Sequence, residues 1–161
     1  MAGPKSNEVL RHTVIDRLAG TGGIRGGDLR IGVEDLKATV CRDIEWLLNT
    51  KRPLDMELGG FPEAVNSILN YGIPDFSQYS AASGADCGRL CQLIEQALRV
   101  FEPRLESRSI KVDYLQTDEL TGLKAQFRIR GILHVDPVRE PVSFDTNVAM
   151  DSGNIEIKMT D

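Results

Sequence analysis

One short stretch of the sequence groups opposite charges around a rigid centre: Phe101-Glu102-Pro103-Arg104-Leu105. Pro103 fixes the backbone between Glu102 and Arg104. A carboxylate and a guanidinium presented that way can make bidentate, charge-assisted contacts to another molecule. They can equally close on each other as a local ion pair at a helix end, worth under about 1 kcal/mol when exposed. The residues alone favour that plainer arrangement, with Phe101 and Leu105 expected to anchor the junction in the core. Cys87 and Cys91 lie four apart, so on a helix they share a face and form half of a metal site. The only histidines, His12 and His134, are distant and isolated, so inert, partly buried thiols are expected, with no metal and no cofactor. With Cys41 the cysteine count is three, an odd number that argues against a disulfide framework.

Other catalytic patterns are missing. Acid–base hydrolysis of a glycan needs two carboxylates a few ångströms apart, one of them with a raised pKa. The 24 acidic residues guarantee some neighbouring pair, yet aromatics make up 6% and Trp46 is the single tryptophan. A sugar-binding cleft wants more platforms than that, and Trp46, at the edge of a helical stripe, is expected to pack. There is no G-x-S-x-G elbow. The segment from Gly20 to Gly27 holds five glycines in eight residues. It lacks both the Lys-Ser/Thr ending of a phosphate loop and the G-x-G-x-x-G spacing of a dinucleotide site. No catalytic residue is therefore expected and the chain reads as a non-enzyme, with a lysozyme-type peptidoglycan hydrolase as the enzymatic alternative.

The elements that must position the charged triplet follow from periodicity. Leu10, Val14 and Leu18, with Ile15 beside them, repeat at helical spacing, with Asn7 as N-cap and Gly20 as stop. So short a helix needs something to pack on, either its own domain or a partner's groove. The glycine-rich run after it reads as a flexible tether. Residues 1–28 are thus an arm and linker, and residues 29–161 one domain. Val33, Leu36, Val40, Ile44, Leu47 and Leu48 form the stripe of a long helix, with Glu34 and Asp35 in its first turn and Pro53 ending it. A short helix is expected from Pro62 to Leu69, followed by a turn at Asn70–Asp75. Leu90, Leu93, Ile94, Ala97, Leu98 and Phe101 mark a third helix, ended by Pro103.

Beyond Pro103 the period becomes two: Ile110, Val112 and Tyr114; Leu123, Ala125, Phe127 and Ile129; Val142, Phe144, Thr146 and Val148; Ile155, Ile157 and Met159. The fold class is α+β: three helices packed on one face of a largely antiparallel four-stranded sheet, with an N-terminal helical arm. A formal net charge of −5 gives no electrostatic reason to expect nucleic acid. No apolar run is long enough to span a membrane and no secretory h-region opens the chain, so a cytoplasmic protein is expected.

Several of these segments resemble one family. Val14-Ile-Asp-Arg-Leu18, the runs from Cys41 to Arg52 and from Ser67 to Phe76, and the triplet Glu102-Pro103-Arg104 are similar, in that order along the chain, to motifs of TssE. TssE is the small baseplate subunit of type VI secretion systems, related to the lysozyme-like baseplate wedge proteins of contractile phage tails. The resemblance implies a structural subunit that joins wedge subunits TssF, TssG and TssK and initiates assembly of the contractile sheath (TssB/TssC), in a membrane-docked baseplate without itself entering the membrane. It also implies partner-binding residues at Glu102, Pro103 and Arg104 and along the arm at Val14, Ile15, Asp16 and Leu18. Sheath strands would add to the C-terminal strand edges. The glycine-rich tether departs from the acidic, proline-containing linker of the family.

Overall fold

The computed structural model describes residues 13–19, 32–52, 60–115, 124–136 and 138–160. Asn7, Leu10, the glycine-rich tether, Pro53 and Leu123 lie outside the described residues. The arm contributes a short helix, α1 (Val14–Ala19). Helix α2 (Val33–Asn49) begins where Glu34 and Asp35 face the positive end of the helix dipole, and the Asp35 carboxylate accepts from the Gly32 N–H at 3.3 Å. Its stripe is buried as expected at Leu36, Val40, Ile44, Leu47 and Leu48.

The expected helix from Pro62 to Leu69 is broken in two: one turn, α3 (Pro62–Val65), and a 3₁₀ turn at Ile68–Asn70. Ser67 causes the break, since its hydroxyl accepts from Leu69 N–H at 3.2 Å and restarts the chain as a second cap. Gly72 then takes φ +103°, and a Cβ there would meet Thr50 O at 2.2 Å. Only glycine fits this close crossing, which binds the turn to the end of α2 through Ile73 N–H to Thr50 O and Arg52 N–H to Ile73 O. Helix α4 (Gly84–Phe101) starts at Ser83, whose hydroxyl accepts from Asp86 N–H, and stops at Glu102, before Pro103.

Four strands follow as a simple antiparallel meander, in the order β1 (Lys111–Leu115), β2 (Lys124–Val135), β3 (Val138–Ala149) and β4 (Ile155–Thr160). Alternation puts Ala125, Phe127, Ile129, Leu133, Phe144, Val148 and Ile155 into the core, against α2 lying along β4 and α4 lying along β1. The opposite face of the sheet is polar, with cross-strand pairs such as Arg128–Asp145. The single-turn α3 sits at the margin of this helical layer and buries no residue.

The β2–β3 hairpin is longer than the alternating runs suggest. It continues through Gly131 and Pro141, pairing Gly131 with Val142 and Ile132 with Pro141. Proline survives there because β4 reaches only as far as Ser143, so no neighbour asks Pro141 for an N–H. Gly131 admits the segment after α4, with Ser109, Leu105 and Ile110 all within 4 Å of where its Cβ would be. Leu105 bridges to Leu133, and Arg104 C=O accepts from His134 N–H at 2.8 Å. The charged triplet is thereby fastened to the sheet.

Candidate functional site

Helix α4 delivers Glu102 into the protein rather than out of it. Glu102 is 3% exposed, and its carboxylate accepts from Arg104 three times: from the backbone N–H at 3.2 Å, from Nε at 2.6 Å and from Nη2 at 2.5 Å. Pro103 between them is exposed. Arg104 Nη2 also donates to Asp43 Oδ2 on α2 at 2.8 Å. Asp43 Oδ1 accepts from Arg42 at 2.9 and 3.2 Å, and Arg42 Nη1 donates to Asp16 Oδ1 on α1 at 2.6 Å. The Thr13 hydroxyl completes the run, donating to Asp16 Oδ2 at 2.6 Å. Five charges of alternating sign, Glu102–Arg104–Asp43–Arg42–Asp16, therefore form one ladder from the end of α4 across α2 to the arm.

The ladder brings together two groups of residues that lie far apart in the chain. The triplet and Asp16 meet through Arg42 and Asp43, neither of which was singled out in the sequence. The signal available was an adjacent Arg-Asp pair off the apolar stripe of α2, inside a run already noted for its resemblance. Helix α1 is thus tied to α2 through Asp16 and Arg42. Its orientation is unusual: Asp16 is 5% exposed while Val14 and Leu18 are 66% and 84% exposed. An ordinary surface helix buries its apolar side and exposes its charges, whereas here Asp16 is the covered group and Val14 and Leu18 stand in solvent.

The electrostatics follow the geometry. Burial pulls Arg104 down, but the Glu102 and Asp43 carboxylates outweigh it and leave Arg104 raised. Asp16, then Asp43, raise Arg42 against burial. Tyr71 is raised by burial and then by the Asp43 and Glu102 charges.

Beside the ladder lies a groove of about 240 Å³, lined by Thr13, Asp43, Trp46, Tyr71, Phe101 and Arg104, among others. Phe101 is half-buried rather than buried, and its ring meets Tyr71 edge to face at 5.3 Å. Trp46, expected to pack at the edge of the α2 stripe, is 48% exposed, with Arg42 stacked over its ring at 4.8 Å. Each carboxylate here accepts from an arginine, an arrangement for gripping and ordering side chains rather than for moving protons. The cysteines sit elsewhere and apart from this groove. Burial pushes the Cys91 thiol up to about 11 and also raises Cys41 and Cys87. Among the described residues no cluster of three or more His, Cys, Asp or Glu could hold a metal ion. No helix among them is long and apolar enough to cross a membrane.

No curated protein and no solved structure matches the chain. The family model described as baseplate wedge protein gp25 matches residues 34–138. That span runs from the first turn of α2 to the start of β3, and holds Arg42, Asp43, Trp46, Tyr71 and the whole Glu102-Pro103-Arg104 triplet. The match covers most of the chain, and on it the chain belongs to the family of baseplate wedge protein gp25.

Proposed function

We propose that this chain is the wedge subunit of a type VI secretion baseplate, joining TssF, TssG and TssK and starting the contractile sheath of TssB/TssC. The observation that carries the reading is the convergence of arm and triplet on one charge ladder around the exposed Trp46. A wedge protein needs a rigid surface on which several neighbours meet. Here buried ion pairs stiffen the floor, an aromatic wall stands open, and α1 shows Val14 and Leu18 to a neighbour.

In this reading Glu102 and Arg104 shape the anchor, while Pro103, Trp46 and the outer face of α1 touch the partner. The sheath meets the protein at β4, on the cytoplasmic side of a membrane-docked assembly. The test is co-purification of the tagged full chain with TssF, TssG and TssK homologues from cells that carry them. Trp46→Ala removes an exposed ring without emptying the core, so the variant is expected to keep the wild-type circular dichroism and to lose the wedge subunits. Capture of those subunits by W46A at the wild-type level would overturn the proposed surface. Failure of the wild type to capture any of them would overturn the type VI assignment.

A further inference from the structure

Along both edge strands of the sheet, helix side chains meet main-chain groups at positions where another strand would pair. On β1, the residues turned away from β2 are Val112 and Tyr114, preceded by Ile110. Each meets a side chain of α4. Val112 N–H donates to Glu95 Oε1 at 3.1 Å, Arg99 Nη2 reaches Ile110 O at 3.5 Å, and the Cys91 thiol lies against the main chain of Tyr114.

On β4, the residues turned away from β3 are Ile155, Ile157 and Met159, and α2 covers them in the same way. Asn49 accepts from Ile155 N–H through Oδ1 at 3.0 Å and donates to Ile155 O through Nδ2 at 2.7 Å. The Cys41 thiol faces Ile157 O at 3.9 Å and the main chain of Met159.

The spacing explains why one helix can serve a whole edge. Four residues of helix rise about 6 Å, close to the roughly 6.7 Å between alternate strand residues. Side chains at 91, 95 and 99 therefore fall opposite 114, 112 and 110, and those at 41 and 49 opposite 159 and 155. Asn49 goes furthest, since its amide reproduces the donor and acceptor that a paired strand would supply at Ile155. The remaining overhang of β3, beyond the end of β4, carries Pro141, which has no N–H to offer.

We propose that these side chains are edge guards: α4 through Cys91, Glu95 and Arg99, and α2 through Cys41 and Asn49, keep β1 and β4 from pairing with a second copy of this chain. Exposed edges of this kind are a general route to self-association, and covering them is one of the ways proteins avoid it. The inference is independent of the proposed baseplate role, although a sheath strand adding at β4 would have to displace Asn49 as well.

The experiment is a pair of measurements on the full chain. In Asn49→Ala, sedimentation over a concentration series is expected to show a shift to dimers or larger species at concentrations where the wild type keeps one mass, with the far-UV spectrum unchanged. A folded N49A whose mass follows the wild type across the series would overturn the proposal. Should N49A fail to fold, hydrogen exchange of the wild type decides. The Ile155 and Val112 amides are expected to exchange roughly five- to ten-fold or more slowly than solvent-open edge amides. Exchange at the open-edge rate would overturn the proposal equally. Glu95→Gln keeps the acceptor and is expected to retain the slow Val112 amide, whereas Glu95→Ala releases it.

Discussion

Replacing Arg104 by methionine gives the sharpest test of the ladder. The substitution removes three side-chain hydrogen bonds, two to Glu102 at 2.6 and 2.5 Å and one to Asp43 at 2.8 Å. The two carboxylates do not suffer equally. Asp43 keeps Arg42 and has a side chain 24% exposed. Glu102, with its side chain 4% exposed, retains only the position-104 backbone N–H at 3.2 Å. The loss is therefore that of one buried carboxylate stripped of its cation, about 3–5 kcal/mol. It is not the value of about 0–1 kcal/mol for an exposed pair.

Against a total stability of about 5–15 kcal/mol, that is a large share. At roughly 2–4 °C per kcal/mol for a chain of this size, it lowers Tm by on the order of 10 °C. Urea unfolding followed by Trp46 fluorescence and by circular dichroism measures it. Glu102→Gln serves as the control, because the amide oxygen still accepts from Arg104 and Asp43 still holds the guanidinium, so its loss is smaller than that of R104M. A loss under about 1 kcal/mol in R104M, with unchanged cooperativity, would place the triplet among ordinary surface ion pairs and refute the reasoning. The same arithmetic explains why Trp46, and not Arg104, is the residue to change when partner binding is measured.

Two further outcomes follow from the same structure. Asp16→Ala breaks the ion pair between α1 and Arg42 and leaves α2 intact. Amides of residues 14–19 are expected to exchange roughly ten-fold faster while those of α4 do not change; equal rates in both proteins would show that the arm is held by something other than this pair. Thr146 is 1% exposed, and its hydroxyl has no hydrogen-bond partner among the described residues. Thr146→Val keeps the shape and removes the orphaned oxygen, so chemical denaturation is expected to show a gain of about 1 kcal/mol, and a loss would mean that the hydroxyl is satisfied in solution.

The helices and strands were legible where one period ran without interruption. Leu36 through Leu48 and Leu90 through Leu98 carry the core faces of α2 and α4, and Val142 through Val148 alternates as a strand must. The extension of the central hairpin was hidden because Gly131 and Pro141 read as breaks. Only the short reach of β4 makes a proline harmless at that place. Ser67 similarly turned a plausible helix into two turns. At the candidate site, the triplet and the arm could each be picked out locally. Their meeting could not, because it passes through Arg42 and Asp43, which lie 26 and 61 residues from their respective partners Asp16 and Arg104. Trp46 was misplaced for a related reason: its stripe position suggested packing, but its actual neighbour is the arginine that reaches for the arm.

Helix α2 carries both kinds of contact on one rod. Arg42 and Asp43 tie it to the arm and to the end of α4, and Asn49 ties it to β4. Only about 10 Å of helical rise separates Arg42 from Asn49. Mechanically, the second half of the helix is a strut, with one fitting at its middle and one at its C-terminal end. A tug on the arm passes through Arg42 into the axis of the helix, where stiff main-chain hydrogen bonds bear it, and leaves through the Asn49 amide into the last strand. Tension applied at α1 is thus felt at the sheet edge.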